Sequence, residues 1–129
     1  MENLTSSLED YLEAIYLLEK KGSVRVSDIA DFLGVSKPSV NRAIGNLVKH
    51  GLVDHELYSD VSLTQKGKTL ASKVLRRHKI IKKFLTDTLG VEEEIAELDA
   101  CRMEHVISVR TLQKLYQYCE ANSDEKKSD

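Results

Sequence analysis

Apolar residues recur at intervals of three and four positions along most of the chain, which predicts a mainly α-helical protein. The first helix is expected to begin near Ser7, the second at Ser27 and the third at Ser36, since serine often caps a helix N-terminus. Pro38 falls in the first turn of the third helix, where a missing N–H is harmless. The expected core faces of the three helices are Leu8, Leu12, Ile15 and Tyr16; Ile29, Phe32 and Leu33; and Val40, Ala43, Ile44 and Leu47.

The second and third helices are joined by the short turn "LGVS", residues 33–36, which indicates a helix-turn-helix. Two segments with strand-like alternation follow, "LVDHEL" at 52–57 and "VSLT" at 61–64, with the turn "YSD" between them. A β-hairpin directly after the third helix is typical of a winged helix-turn-helix. We therefore predict such a domain over residues 1–72.

A second, wholly helical domain is predicted over residues 73–120. Thr64 is expected to cap a long fourth helix, Gly90 to end it, and Ser108 to cap the last helix. A fifth helix between these points carries the stretch "CRMEH", residues 101–105. Residues 121–129 are almost devoid of apolar side chains and are expected to form a disordered tail.

Charge is distributed unevenly along the chain, although the formal net charge is only −2. Residues 36–83 contain eleven Lys or Arg against three acidic residues, whereas residues 84–109 contain seven Asp or Glu. A basic segment followed by an acidic one suggests one surface for a polyanion and another for a cation. Two cysteines are too few for a disulfide framework, and neither a signal peptide nor a transmembrane run is evident, so a cytoplasmic protein is expected.

The start of the third helix is the expected DNA-reading surface, because the second helix of a helix-turn-helix enters the major groove with its N-terminal part. Asn and Arg side chains can make bidentate contacts to adenine and guanine edges, whereas Ser and Lys suit phosphates. Lys66, Lys68 and Lys73 would add electrostatic attraction. The candidate DNA-binding residues are Ser36, Lys37, Pro38, Ser39, Asn41 and Arg42.

Six metal-capable side chains are distributed over three predicted helices. If CRMEH is helical, Cys101, Glu104 and His105 share one face. His78 lies in an otherwise apolar row, where an imidazole needs a polar partner. Asp10 and Glu13 form a carboxylate pair one turn apart on the first helix. Each residue also has a structural interpretation: Asp10 can form a capping box with Ser7, and Cys101 or His105 can belong to the core.

The sequence "LEDYLEAIYLLE…VRVSDIADFLGVSKPSVNRAIGNLVKHGLV…LTQKGKTLA…RRH…DACRMEHVIS" resembles the diphtheria toxin repressor family, over residues 5–119. The resemblance implies a homodimer that binds a palindromic operator in double-stranded DNA when loaded with Fe(II) or Mn(II). The number of ligands leads us to expect two ions per subunit, bridged by Glu104. Their ligands would be Asp10, Glu13, His78, Cys101, Glu104 and His105.

The resemblance places the chain between two branches of that family. Asp10 and Glu13 match the manganese-type members, which have a glutamate at the position of Cys101; the iron-type members have a cysteine there. Lys82 and Glu97 replace an acidic residue and a histidine of the iron-type ancillary site, which argues against such a site here. The expected architecture is the short, manganese-type form without an SH3-like domain.

The sequence thus predicts a metal-dependent transcriptional repressor of metal-homeostasis genes, with no enzymatic activity, small-molecule substrate or membrane partner. One alternative is a winged-helix regulator that senses thiol oxidation through Cys101 or Cys119 without metal. A winged-helix dimer that senses nothing is another. A small metalloenzyme is the rival of a different class, but HExxH and glycine-rich motifs are absent.

Overall fold

The computed structural model describes residues 4–56 and 60–127, and its fold is mainly α-helical with one small antiparallel sheet, as predicted. The chain divides into two units, Met1–Lys73 and Val74–Asp129, one residue beyond the division expected from the sequence. The elements in chain order are α1 Ser6–Glu19, α2 Val26–Leu33, α3 Lys37–Lys49, β1 Val53–Asp54, β2 Ser62–Leu63, α4 Gln65–Lys83, α5 Glu93–Met103 and α6 Val109–Lys127.

Side-chain caps define where the first helices begin. The Thr5 hydroxyl accepts a hydrogen bond from the backbone N–H of Leu8, so α1 starts slightly before the expected position. Ser36 caps α3 as predicted, by accepting from the N–H of Ser39 at 3.3 Å. Helix α2 differs from the prediction, because its N-cap is Arg25 rather than Ser27, and the carboxylate of Asp28 accepts from the Arg25 N–H.

The wing is shorter than predicted. Val53 pairs with Leu63 and Asp54 with Ser62 in the sheet, and a single bridge joins Val24 to Val61. Residues 58 and 59 of the predicted turn "YSD" lie outside the described residues. A side chain from α1 also holds the wing: Glu19 Oε1 accepts from the Leu63 N–H at 2.6 Å.

The core of the first unit forms around the predicted apolar faces. Leu12, Ile15 and Ile29 are fully buried there. All four predicted residues of α3 are buried as well. The predicted burial of Phe32 is wrong, because Ile29 and Ala30 occupy the core side of the short α2 and leave Phe32 52% exposed.

The second unit has its own smaller core. Ile81 and Leu85 of the fourth-helix row pack with Ala96 and Ala100 of α5. Residues Phe84–Thr88 form a π-helical turn that continues α4, and Gly90 follows in a left-handed conformation at φ 72°. Ser108 caps α6, as expected, by accepting from the N–H of Thr111. The buried alanines leave the larger Ile95 and Leu98 exposed.

Helix α6 runs to Lys127 and therefore differs from the expected disordered tail over 121–129. Residues 120–127 contain no Gly or Pro that would end the helix. Within the described ranges, no helix is long and apolar enough to cross a membrane.

Gly67 gives a test of how closely α4 packs in the first unit. A Cβ at this buried position would collide with the backbone carbonyl of Leu52, whereas a Cβ at Gly45 of α3 meets open space. We expect Gly67→Ala to lower the free energy of unfolding by about 1–3 kcal/mol through overpacking. Gly45→Ala should instead raise it by up to about 1 kcal/mol. Urea denaturation of both variants checks this, and equal effects would contradict the packing described.

Candidate metal centre and nucleic-acid interface

The start of α3 presents a mixed polar and basic surface. Lys37, Asn41 and Arg42 are exposed, while Val40 between them is buried. Ser36 and Ser39 already hydrogen-bond each other at 2.9 Å, and Arg42 donates to the Ser39 hydroxyl at 3.4 Å. The two serines therefore stabilise the helix start, and the long side chains of the other three are the ones available to reach a nucleic acid.

The predicted metal ligands are divided between the two units. Asp10 and Glu13 lie on α1 of the first unit, where Asp10 is exposed and Glu13 is half-buried. The other four lie in the second unit. His78 is on α4, Cys101 is near the end of α5, and Glu104 and His105 follow directly after that helix.

Glu104 is the most unusual polar residue in the second unit. It is the C-terminal cap residue of α5 and is only 1% exposed. Its Oε2 lies 3.1 Å from His78 Nδ1, and its Oε1 lies 3.5 Å from His105 Nε2. A buried carboxylate is costly unless positive charge or hydrogen bonds compensate it, so the two imidazoles stabilise Glu104.

A second carboxylate contacts the other ring nitrogen of His78. Glu97 Oε1 lies 2.9 Å from His78 Nε2, and Glu97 Oε2 lies 3.0 Å from the ammonium of Lys82. Lys82 also donates to Glu93 at 3.3 Å. The imidazole is thus held between two carboxylates, one fully buried and one about half exposed.

These contacts change how easily the groups ionise. The hydrogen bond to Glu104 raises the pKa of His78 to about 9; burial opposes this effect and Glu97 adds to it. Burial opposes the ionisation of Glu97, yet hydrogen bonds from Lys82 and His78 lower the pKa of that carboxyl overall. The hydrogen bonds to Glu97 and Glu93 raise the pKa of Lys82. His78, Glu97 and Lys82 are therefore all ionised at neutral pH.

Three metal-capable side chains of the second unit lie together in a combination that the sequence did not predict. Ligand atoms of His78, Glu97 and Cys101 all lie within 4.8 Å of one another. The sequence had grouped Cys101 with Glu104 and His105 instead. Glu97 and Lys82 could have been found from spacing, because His78 and Lys82 on α4, and Glu93 and Glu97 on α5, are both four residues apart.

One atom of Glu104 is suited to a metal ion. Its Oε1 is buried and, among the described residues, has no hydrogen-bond partner. Buried carboxylate oxygens nearly always have a partner, so an exception calls for an explanation such as an ion. Carboxylate, imidazole and thiolate groups are also the donors that Fe(II) and Mn(II) sites use. The residues present therefore fit a divalent transition metal.

The two cysteines differ in environment. Both are reduced; Cys101 is exposed and Cys119 on α6 is half-buried. Burial raises the pKa of the Cys119 thiol. Because the thiolate is the reactive form, this shift makes Cys119 a poor sensor of oxidants.

The ionisation of His78 can be measured in metal-stripped protein by NMR titration of the imidazole. We expect Glu104→Gln to lower the pKa of His78 from about 9 by more than Glu97→Gln does, because the buried carboxylate has the larger effect. Glu94→Gln, an exposed position on the same helix, is the control and should leave it unchanged. A wild-type His78 that titrates near its usual value would contradict this geometry.

Two family models match nearly the whole chain. The iron dependent repressor, N-terminal DNA binding domain, matches residues 3–61. The iron dependent repressor, metal binding and dimerisation domain, matches residues 64–126.

Individual proteins that are similar to this chain are named as regulators, in agreement with these family models. An HTH-type transcriptional regulator of Methanocaldococcus jannaschii is 36% identical over 123 residues, which are 94% of this chain and 98% of the relative. The HTH-type transcriptional regulator MntR of Bacillus subtilis is 39% identical over 127 residues, covering 95% of this chain and 89% of the relative. The solved structure of the manganese regulator SloR is 31% identical, with a TM-score of 0.78 over 88% of this chain.

The chain spans only 53% of the SloR chain, so that structure extends beyond the two units described here. The order of the matches follows the order of the units, with the winged helix first and the metal-binding and dimerisation region second. On these grounds the chain belongs to the diphtheria toxin repressor family, the iron-dependent repressors, and is a metal-dependent transcriptional regulator.

Proposed function

We propose that the chain represses metal-homeostasis genes in the cytoplasm by binding a palindromic operator as a homodimer when it is loaded with Fe(II) or Mn(II). The observation that carries the proposal is the buried Glu104, whose Oε1 has no hydrogen-bond partner among the described residues and lies beside His105. A DNA-binding domain alone does not need a buried carboxylate between two imidazoles. Carboxylate and imidazole groups are ligands that a divalent transition metal can use.

The proposed ligands come from both units. Asp10 and Glu13 would contribute hard carboxylate oxygens from α1, and His78, Cys101, Glu104 and His105 would contribute the remaining donors. Glu104 has two carboxylate oxygens, so it could bridge two ions in each subunit. Support for His78, Glu104 and His105 comes from their contacts in the second unit, and support for Cys101 comes from its proximity to His78. Support for Asp10 and Glu13 comes from the family resemblance.

Cys101 is the residue proposed to set the metal preference. Hard oxygen ligands suit Mn(II), whereas a thiolate favours Fe(II), Co(II) or Zn(II). MntR and SloR, by their names, are a transcriptional regulator and a manganese regulator. We propose Fe(II) or Mn(II) as the signal, with the thiolate shifting the preference toward iron.

Operator recognition is assigned to the exposed start of α3. Arg42 and Asn41 would contact base edges in the major groove, and Lys37 would contact phosphate. Ser36, Pro38 and Ser39 would shape the helix start so that these side chains are presented. Arg42 is the residue most suited to discriminate between sequences, because its guanidinium can bind guanine in a bidentate manner.

A homodimer through the second unit is supported by its exposed apolar side chains. Among the large hydrophobic residues that are exposed in the described part of the chain, most belong to this unit. They are Leu89, Ile95, Leu98, Val106, Val109, Tyr116 and Tyr118. Exposed apolar side chains are expected at a protein–protein interface when they form a contiguous patch.

Metal and DNA binding would be coupled equilibria. An ion that favours the DNA-binding arrangement of the dimer raises operator affinity, and DNA must then raise metal affinity by the same factor. Typical coupling free energies are about 1–3 kcal/mol.

Anaerobic DNA-binding titrations test the metal response. The probe is a duplex selected from a random library by the Mn(II)-loaded protein, titrated with Fe(II), Mn(II), Co(II) or Zn(II). We expect metal to raise operator affinity about 5- to 150-fold, in keeping with that coupling. Cys101→Glu should shift the ranking of metals toward Mn(II), since it replaces a thiolate with oxygen donors.

Equal operator affinity with and without metal would reject the proposed function. An unchanged metal ranking in Cys101→Glu would reject only the role of Cys101. Cys119→Ser is the matched control, because it removes the other thiol of the chain, and it should change neither result.

The dimer is tested by analytical ultracentrifugation. Leu98→Asp places a charge on the exposed apolar surface of α5, so we expect weaker self-association without loss of helical content. Phe32→Asp makes the same kind of change at a similarly exposed residue of the first unit and should leave the dimer intact. A Leu98→Asp protein that is as dimeric as Phe32→Asp would contradict the proposed interface.

A further inference from the structure

We propose that Glu97 is a positioning residue for the metal ligand His78: it accepts the Nε2–H hydrogen bond and leaves Nδ1 to the metal, and Lys82 in turn fixes Glu97. This inference rests on the proposed metal-dependent function and adds two residues to it. Neither of them is in the ligand set deduced from the sequence.

The assignment begins with the two nitrogens of His78. When an imidazole binds a metal, one nitrogen takes the ion and the other keeps a proton, which needs an acceptor. His78 has a carboxylate at each nitrogen: Glu104 Oε2 is 3.1 Å from Nδ1, and Glu97 Oε1 is 2.9 Å from Nε2. One carboxylate must therefore belong to the metal and the other to the retained proton.

The hydrogen-bond partners of the two carboxylates indicate which of them faces the metal. Glu104 is fully buried and its Oε1 has no hydrogen-bond partner in the described part of the chain, so it can still bind a cation. Both oxygens of Glu97 are engaged, Oε1 by His78 and Oε2 by Lys82 at 3.0 Å. Glu104 is therefore the metal-side carboxylate, and Glu97 is the acceptor that holds the ring.

Lys82 holds Glu97 in place as the acceptor for His78. Its ammonium contacts Glu97 and Glu93 one turn apart on α5, so it ties α4 to α5 next to the ring of His78. The same positive charge neutralises Glu97 and lowers its attraction for a cation of its own. This matters because Glu97 lies close enough to His78 and Cys101 to act as a metal ligand itself.

The test compares Mn(II) affinity in wild type and matched variants, measured anaerobically from the EPR signal of the unbound ion. Glu97→Ala should bind Mn(II) about 10- to 100-fold more weakly, the range typical for loss of a carboxylate that orients a metal-bound histidine. Glu94→Ala removes the same charge from an exposed position of α5 and should bind like wild type.

Lys82 is tested by rescue. Lys82→Gln should weaken Mn(II) binding in the same direction as Glu97→Ala but by a smaller factor, and Lys82→Arg should restore it because the charge is kept. Lys79→Gln, an exposed change on α4, controls for the loss of one positive charge. If Lys82 only stabilised the fold, Lys82→Gln would lower the helical content or the unfolding midpoint. Equal values in both Lys82 variants, with Mn(II) affinity restored only by Lys82→Arg, would support its role in fixing Glu97.

A spectroscopic arm identifies the nitrogen directly. In the Zn(II)-loaded protein, long-range ¹H–¹⁵N spectra should show His78 with Nδ1 bound to the metal and a proton on Nε2. A metal-bound Nε2 would overturn the proposal, because Glu97 would then be a candidate ligand itself.

The failure of this inference can be told apart from failure of the proposed function. If wild type binds neither Mn(II) nor Fe(II), or His78→Gln binds Mn(II) as tightly as wild type, the proposed metal function fails. If His78→Gln loses binding while Glu97→Ala and Glu94→Ala are equal to wild type, only the positioning role is wrong.

Discussion

The buried carboxylate of Glu104 imposes the constraint on which the second unit depends. A carboxylate removed from water must be compensated by positive charge or hydrogen bonds close to it. His78 and His105 supply two contacts, and one carboxylate oxygen keeps the capacity to bind a cation. The contacts of Glu97 with His78 and of Lys82 with Glu97 follow from the same need, since the outer nitrogen of the imidazole must also be paired. The polar network is therefore a consequence of one buried charge.

The family assignment relates this polar network to metal binding. The first unit is a winged helix in which α3 presents Lys37, Asn41 and Arg42 to solvent, and its sequence matches the DNA-binding domain of the iron-dependent repressors. The second unit matches their metal-binding and dimerisation domain. A cation bound at Glu104 would change the balance of charge at the end of α5.

Much of the fold could be predicted from the sequence, because local rules determine it. Caps at Ser36, Thr64 and Ser108 and the apolar row of α3 reflect hydrogen bonds and spacing within a few residues. The exposure of Phe32 was missed. It depends on which residues of a short helix reach the core.

The site was predictable only in part. Family resemblance pointed to Glu104 and His78, and the structure pairs them. The partnership of Glu97 with His78 and Lys82 depends on how α4 and α5 pack, so spacing alone suggests it without fixing it. The grouping of Cys101 with Glu97 rather than with its sequence neighbours has the same origin.

The most direct test of the central claim is the affinity of the protein for Mn(II), measured anaerobically with and without saturating operator duplex. If metal and DNA bind as coupled equilibria, DNA must tighten Mn(II) binding by the same factor by which Mn(II) tightens DNA binding, about 5- to 150-fold. We expect these two factors to agree in wild type and to fall toward one in Glu104→Gln. Mn(II) affinity that does not change when operator is added would contradict the account.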